Sequence, residues 1–124
     1  MRIATPMLAL LLAANAAAAG CPAGDKLIAP CFALHGRLQA WNGNPTFRIW
    51  RIGTRRVLGV EDNGGQPYLP PAIRKVLGDD AFGKRVTADY RVCPLTKARK
   101  GWMQIVCVMD ARNITLQRDG DQAR

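Results

Sequence analysis

The stretch VCPLTKARKGWMQIVCV, from Val92 to Val108, decides how this chain folds. Two apolar runs, each holding one cysteine, flank a basic segment that ends in Gly101. Arg99-Lys100-Gly101 suits a three-residue hairpin loop with glycine in the left-handed position. Strands are therefore expected at Val86 to Leu95 and Trp102 to Ile114. Folding about that loop sets Val92 opposite Val108 and Cys93 opposite Cys107. The register thus predicts a Cys93–Cys107 disulfide, worth about 3 kcal/mol through the loop it closes.

The remaining cysteines are Cys21 and Cys31, so a second bridge between them follows by elimination. An even cysteine count in a small exported chain reads as a disulfide framework. One histidine and no C-x-x-C pair argue against a structural zinc site. Neither a metal nor a cofactor is expected.

Upstream, Phe47-Arg-Ile-Trp-Arg-Ile52 is rich in aromatic and β-branched residues and follows the turn cluster Asn42-Gly43-Asn44-Pro45. Folding Ala33–Trp41 back on it sets Leu38 against Ile49 and Ala40 against Phe47, on a common core face. His35, Arg37, Gln39, Trp41, Arg48 and Trp50 fall on the other face. Gly53-Thr54 offers a type II′ turn into a third strand, Arg55 to Val60. This register faces Arg51 with Arg56, an unfavourable like-charge pair. Either a bulge shifts the register or an anion sits between them. Residues 61–69, with Gly64-Gly65, read as a loop. Pro70 to Gly78 carries proline at the start, glycine at the end and Ile73, Val76 and Leu77 on one face, the marks of a short helix.

The first nineteen residues read as a signal peptide: Arg2, the apolar run Met7 to Leu12, and Ala17-Ala18-Ala19 as a cleavage site. That run is too short to span a bilayer, and a protein without a transmembrane segment is expected. The expected division is a signal peptide at 1–19, an irregular lead-in at 20–32, a β domain at 33–116 and a flexible tail at 117–124. Cleavage before Gly20 leaves 17 basic and 9 acidic residues, a net charge of +8. Such a field favours a polyanion, an acidic glycan or an anionic surface. The same charge also serves solubility. Ala18-Ala19-Gly20-Cys21 is similar to a bacterial lipobox, which makes a lipid anchor at Cys21 the alternative to its disulfide.

Three strands, a short helix and two strands make a mainly β class. "HGRL" (His35 to Leu38), "FRIWRIGTRRVLGV" (Phe47 to Val60) and "VCPLTKARKGWMQIVCV" (Val92 to Val108) resemble a group of small exported bacterial proteins of unassigned function with an oligonucleotide/oligosaccharide-binding (OB) pattern. The resemblance implies a five-stranded OB-like barrel with the helix between strands 3 and 4. It implies an exported location, periplasmic or extracellular.

Enzymatic chemistry has few residues to use. The chain contains no serine, which excludes a Ser-His-Asp triad. Paired cysteines supply no thiolate. The carboxylates Glu61, Asp62, Asp79, Asp80, Asp89 and Asp110 leave a hydrolase or nuclease as the third reading, and no catalytic residue is assigned. Arg37, Trp41, Arg48 and Trp50, with Arg55 nearby, form the candidate binding face: rings stack on bases or sugars, and guanidinium groups hold phosphate or carboxylate. Arginine stacked on tryptophan also stabilises a bare sheet surface. Docking to an envelope protein partner through the same face is therefore the main rival.

Overall fold

The computed structural model describes residues 20–22 and 27–120. The expected signal peptide and residues 121–124 of the expected tail lie outside them. The first hairpin forms as its alternation predicts. In β1 (Phe32–Ala40) and β2 (Phe47–Arg51), Leu38 faces Ile49 and Ala40 faces Phe47. The Trp41 N–H closes the hairpin on the Thr46 carbonyl at 2.7 Å.

β3 (Val57–Val60) follows with no register shift against β2, so Arg51 does face Arg56, its N–H donating to the Arg56 carbonyl at 2.9 Å. No bulge separates the two charges. The Arg56 side chain turns away, over the Phe32 ring and onto Gln104, while Arg51 stays in solvent. The turn differs from the type II′ expectation. Its hydrogen bond runs from the Thr54 N–H to the Arg51 carbonyl, placing Gly53 (φ 85°) third in the turn rather than second. The Thr54 hydroxyl donates to the same carbonyl and accepts from the Arg56 N–H, which stabilises this alternative.

Residues 61–69 are more ordered than a plain loop. β4 (Asp62–Asn63) and β5 (Gln66–Pro67) form a minimal hairpin around Gly64-Gly65, with the Asp62 carboxylate accepting from the Gly65 N–H. α1 (Pro71–Leu77) therefore follows the fifth strand instead of lying between strands 3 and 4. Its buried residues are Ile73 and Leu77, and Gly78 ends it at φ 61°. β6 (Lys84–Pro94) and β7 (Ile105–Arg118) are the longest strands. Near the turn they keep the expected register, Val92 opposite Val108 and Cys93 opposite Cys107; two shifts follow further along. Two expectations fail at the ends of this pair. The strands part after Pro94, giving a connection from 95 to 104 rather than a three-residue loop, because Leu95 and Thr96 both donate to the Ile105 carbonyl. At the far end Gln117 and Arg118 still pair with Arg85 and Lys84, so the sheet enters the expected tail.

β1 pairs with β2 and β6, β2 with β3, β6 with β7, and β3 with β7 in parallel, so the ring of pairings closes. Inside it lie Leu34, Leu38, Ile49, Leu58, Val60, Val86, Tyr90, Val92, Val106 and Val108, with Ile73 and Leu77 of the helix in the same cluster. The Tyr90 hydroxyl donates to the Val86 carbonyl at 2.6 Å, and burial raises its pKa.

The bridges cross the expected pairing. Cys21 bonds Cys107 and Cys31 bonds Cys93, replacing both Cys93–Cys107 and Cys21–Cys31. The cause is the pleat. Successive side chains alternate faces, so Val92 and Val108 point into the ring while Cys93 and Cys107 point out, into a second small core. The lead-in covers that core with Leu27 and Cys31, and each sheet cysteine is bonded to a cysteine of the cover instead of to its ladder partner. Gly20 is seated where a Cβ would lie 2.3 Å from the Val108 carbonyl and 2.5 Å from the Pro70 nitrogen, both backbone atoms. The Cys21 sulfur, bonded and buried, is also closed to a thioether lipid in this state.

Candidate functional site

Outward residues of β1, β2 and β3 form a shallow recess of about 210 Å³ lined by Arg37, Gln39, Trp41, Arg48, Trp50 and Val57. Arg37 stands opposite Trp50 in the ladder and its guanidinium lies 5.4 Å from the ring centroid. Arg48 lies 5.9 Å from the centroid of Trp41 while its Nε donates to the Pro45 carbonyl at 3.1 Å. The Trp50 Nε1 donates to the Thr54 carbonyl at 2.7 Å, which fixes the ring against the turn. Trp41 is 48% exposed and Trp50 half-buried, so the two rings divide between an open and a held position.

A second recess, about 330 Å³, adjoins the first through Val57 and is lined also by Arg56, Ala98, Arg99, Lys100, Trp102 and Gln104. Here the 95–104 connection folds over the β3 edge. Trp102, 68% exposed, carries Arg99 at 5.0 Å from its ring. Arg56 is held rather than free: it donates to Gln104 Oε1, and the buried Gln104 donates in turn to the Thr96 carbonyl at 3.1 Å. The two flanking loops approach over Gly59, where a Cβ would lie 2.6 Å from Pro45 and 2.9 Å from Met103.

Charge separates sharply over this surface. No aspartate or glutamate occurs between Asp25 and Glu61, nor between Asp89 and Asp110. Those two stretches supply β1, β2, β3 and the 95–104 connection. Arg37, Arg48, Arg56, Arg99 and Lys100 therefore line the recesses with no carboxylate partner among the described residues. The Arg37 Nε is buried without a hydrogen-bond partner. Guanidinium forks match oxyanions in geometry, and the adjacent rings offer flat apolar surface.

Of the residues expected from sequence, Arg37, Trp41, Arg48 and Trp50 come together. Arg55 does not join them: β3 starts at Val57, which leaves Arg55 exposed in the turn. Arg56, Trp102 and Gln104 were missed, Trp102 because it reads as a strand residue if the loop is taken to close at Gly101. Arg99 and Lys100 were legible as a basic hairpin tip but not as part of this face. The run of basic residues ending in Gly-Trp was the available signal.

Carboxylates gather elsewhere. Asp89 and Asp110 share a recess with Arg91 and Arg112, each acid opposite an arginine on the neighbouring strand. Asp89 accepts from Asn113 Nδ2 at 2.7 Å and from His35 Nδ1 at 2.9 Å. The Asn113 bond, then the His35 bond, hold its carboxyl below the usual range. A depressed pKa stabilises the fold above the unfolded-state value and is lost as pH falls through the folded value. We expect Asp89→Asn to lower stability at neutral pH and to leave it nearly unchanged near pH 2, so that part of the acid sensitivity below about pH 4 disappears. Parallel urea midpoints from pH 2 to 7 check this, and an unaltered acid limb refutes it. Cys21, Cys93 and Cys107 bring three sulfurs together, but all three are in disulfides and offer no thiolate to a metal. No helix among the described residues is long and apolar enough to cross a membrane. The two disulfides point to an oxidising, non-cytoplasmic setting. Comparison with family models, curated proteins and solved structures gives no match, so the site is read from its own geometry.

Proposed function

We propose that this protein is an exported, OB-type barrel that binds an extended anionic ligand bearing flat rings or sugars across the two joined recesses. The observation that carries the reading is the carboxylate-free face on which five cations and three indole rings converge. The OB-type reading draws support from the closed order β1-β2-β3-β7-β6, with the 41–46 and 95–104 loops flanking β2 and β3. In OB folds that face and those loops bind oligonucleotides and oligosaccharides. Export is supported by the two bridges and by the pattern of the first nineteen residues.

The test is tryptophan fluorescence of the oxidised protein, titrated with single-stranded DNA and with an acidic glycan. For DNA with about four phosphates engaged, raising salt from 50 to 200 mM should weaken binding about 50-fold. Trp50→Ala and Arg48→Ala should each weaken it about tenfold, in the range of one lost stack or charged contact. No saturable change with either probe defeats the reading.

A protein partner docking on the same face is the second reading. It is favoured by the arginine–tryptophan stacks already present without a ligand and by the Trp50 N–H being spent on Thr54. A carboxylate-dependent hydrolase has less support. The Asp89 carboxyl is held ionised, whereas a general acid requires a raised pKa.

A further inference from the structure

The cysteines that face each other across β6 and β7 are not bonded to each other, and that arrangement has a second solution built into it. Cys93 and Cys107 are direct ladder partners. Directly opposed antiparallel residues have Cα atoms about 4.5–5.5 Å apart, within the range a disulfide spans. The sulfurs of Cys21, Cys93 and Cys107 all lie within 4.8 Å of one another. The fourth cysteine, Cys31, is half-buried, whereas Cys21 is 3% exposed and Cys93 and Cys107 are fully buried. A thiol arriving from solvent therefore meets Cys31 first.

We infer that the two bridges form a redox-releasable clasp, in which one dithiol reductant frees the N-terminal lead-in while the sheet keeps a disulfide. A thiolate of the dithiol attacks the Cys31 sulfur, and Cys93 leaves as a thiolate. The second thiol of the dithiol attacks the mixed disulfide, so the dithiol leaves oxidised and Cys31 becomes a thiol. The Cys93 thiolate, beside the other bridge, attacks the Cys107 sulfur and expels Cys21, which takes up a proton. One dithiol has become one disulfide; the chain has passed from two disulfides to one and gained two thiols. Exchange of this kind needs only a thiolate in reach of a disulfide sulfur.

The consequence is structural. Both covalent ties of the lead-in, at Cys21 and Cys31, are lost together. Among its described residues, non-covalent contacts remain: the Ile28–Pro94 backbone bond at 3.3 Å, the packing of Leu27, and the close seating of Gly20 against Val108 and Pro70. Undocking uncovers Tyr68, Leu95 and Met109 in the outer core. Tyr68 and Leu95 also line a recess of about 360 Å³ with Glu61 and Asn63, so that recess opens further when the lead-in leaves. The exchange at the clasp does not depend on what the Arg/Trp face binds.

The experiment is limited reduction of the oxidised protein with dithiothreitol, acid quench, alkylation and peptide mapping at successive times. The expected one-disulfide species carries a Cys93–Cys107 link, with alkyl groups on Cys21 and Cys31 alone. A one-disulfide species that retains Cys21–Cys107 or Cys31–Cys93, with no Cys93–Cys107 link, overturns the proposal. So does passage to four thiols with no such species at any time. As a second arm, Cys21→Ala/Cys31→Ala should oxidise in air to a monomer with no free thiol; two persistent free thiols in the folded variant also overturn it. Failure of that variant to fold counts against the proposal, since the released state is meant to keep the sheet.

Discussion

Full reduction of both bridges is expected to unfold the protein at 37 °C, whereas removing one bridge should cost about 3 kcal/mol and leave it folded. The asymmetry comes from nesting. Cys21–Cys107 spans 86 residues and encloses Cys31–Cys93, which spans 62. With the outer bridge closed, the inner pair is already joined by a short route: ten residues from Cys21 to Cys31 and fourteen from Cys93 to Cys107. The inner bridge therefore closes an effective loop of about 24 residues, worth about 3 kcal/mol in chain entropy. The outer bridge alone closes a far longer loop, worth about 4.5 kcal/mol. Together they reach about 8 kcal/mol, against a total stability of about 5–15 kcal/mol for a domain of this size. Cys31→Ala/Cys93→Ala tests the smaller effect through its urea midpoint at constant slope. Circular dichroism at 37 °C in excess reductant tests the larger one. A reduced chain that keeps its sheet signal there would show that the closed ring holds itself without the clasp.

The two hairpins were legible because their registers rest on local chemistry. Alternation over Arg37 to Trp41 and Phe47 to Trp50 allows only one face to be apolar, and a slip of one residue would bury Arg48 and Trp50. The Cys93–Cys107 opposition was legible for the same reason. What the register could not show is which face of the pleat those cysteines occupy and what covers it. That depends on the lead-in returning from the far end of the chain, a contact with no local signal. The β4–β5 hairpin was obscured in another way: two residues per strand leave no alternation to read. Arg56 belongs to the same class. Its role follows from Gln104, 48 residues away in sequence.

The candidate face was half legible. Residues on β1 and β2 followed from pleat alternation, whereas those of the second recess needed the 95–104 connection to fold back over β3. Its basic and aromatic character was visible in Lys97, Arg99, Lys100 and Trp102, but its position was not. Parallel pairing of β3 with β7 brings it there, and such pairing joins segments distant in sequence.

Neighbouring residues on β2 should separate stability from binding, and this is the sharper test of the register. Ile49 is fully buried, faces Leu38 and packs so closely over Gly36 that a Cβ there would lie 2.5 Å from its γ-methyl. Glycine at 36 leaves the room that Ile49 fills. Ile49→Ala removes that side chain from the centre of the ring, where little can collapse into the space, and should cost about 3–4 kcal/mol. Trp50, next in sequence, points outward. Trp50→Ala loses the Arg37 stack and one hydrogen bond to Thr54, about 1–2 kcal/mol in all. Its larger effect should fall on ligand affinity, which Ile49→Ala should leave unchanged in the fraction that remains folded. Paired urea unfolding and fluorescence titration of the two variants reads both quantities. If Trp50→Ala proves the more destabilising, or Ile49→Ala alone abolishes binding in the folded protein, the inward and outward faces of β2 are assigned the wrong way round.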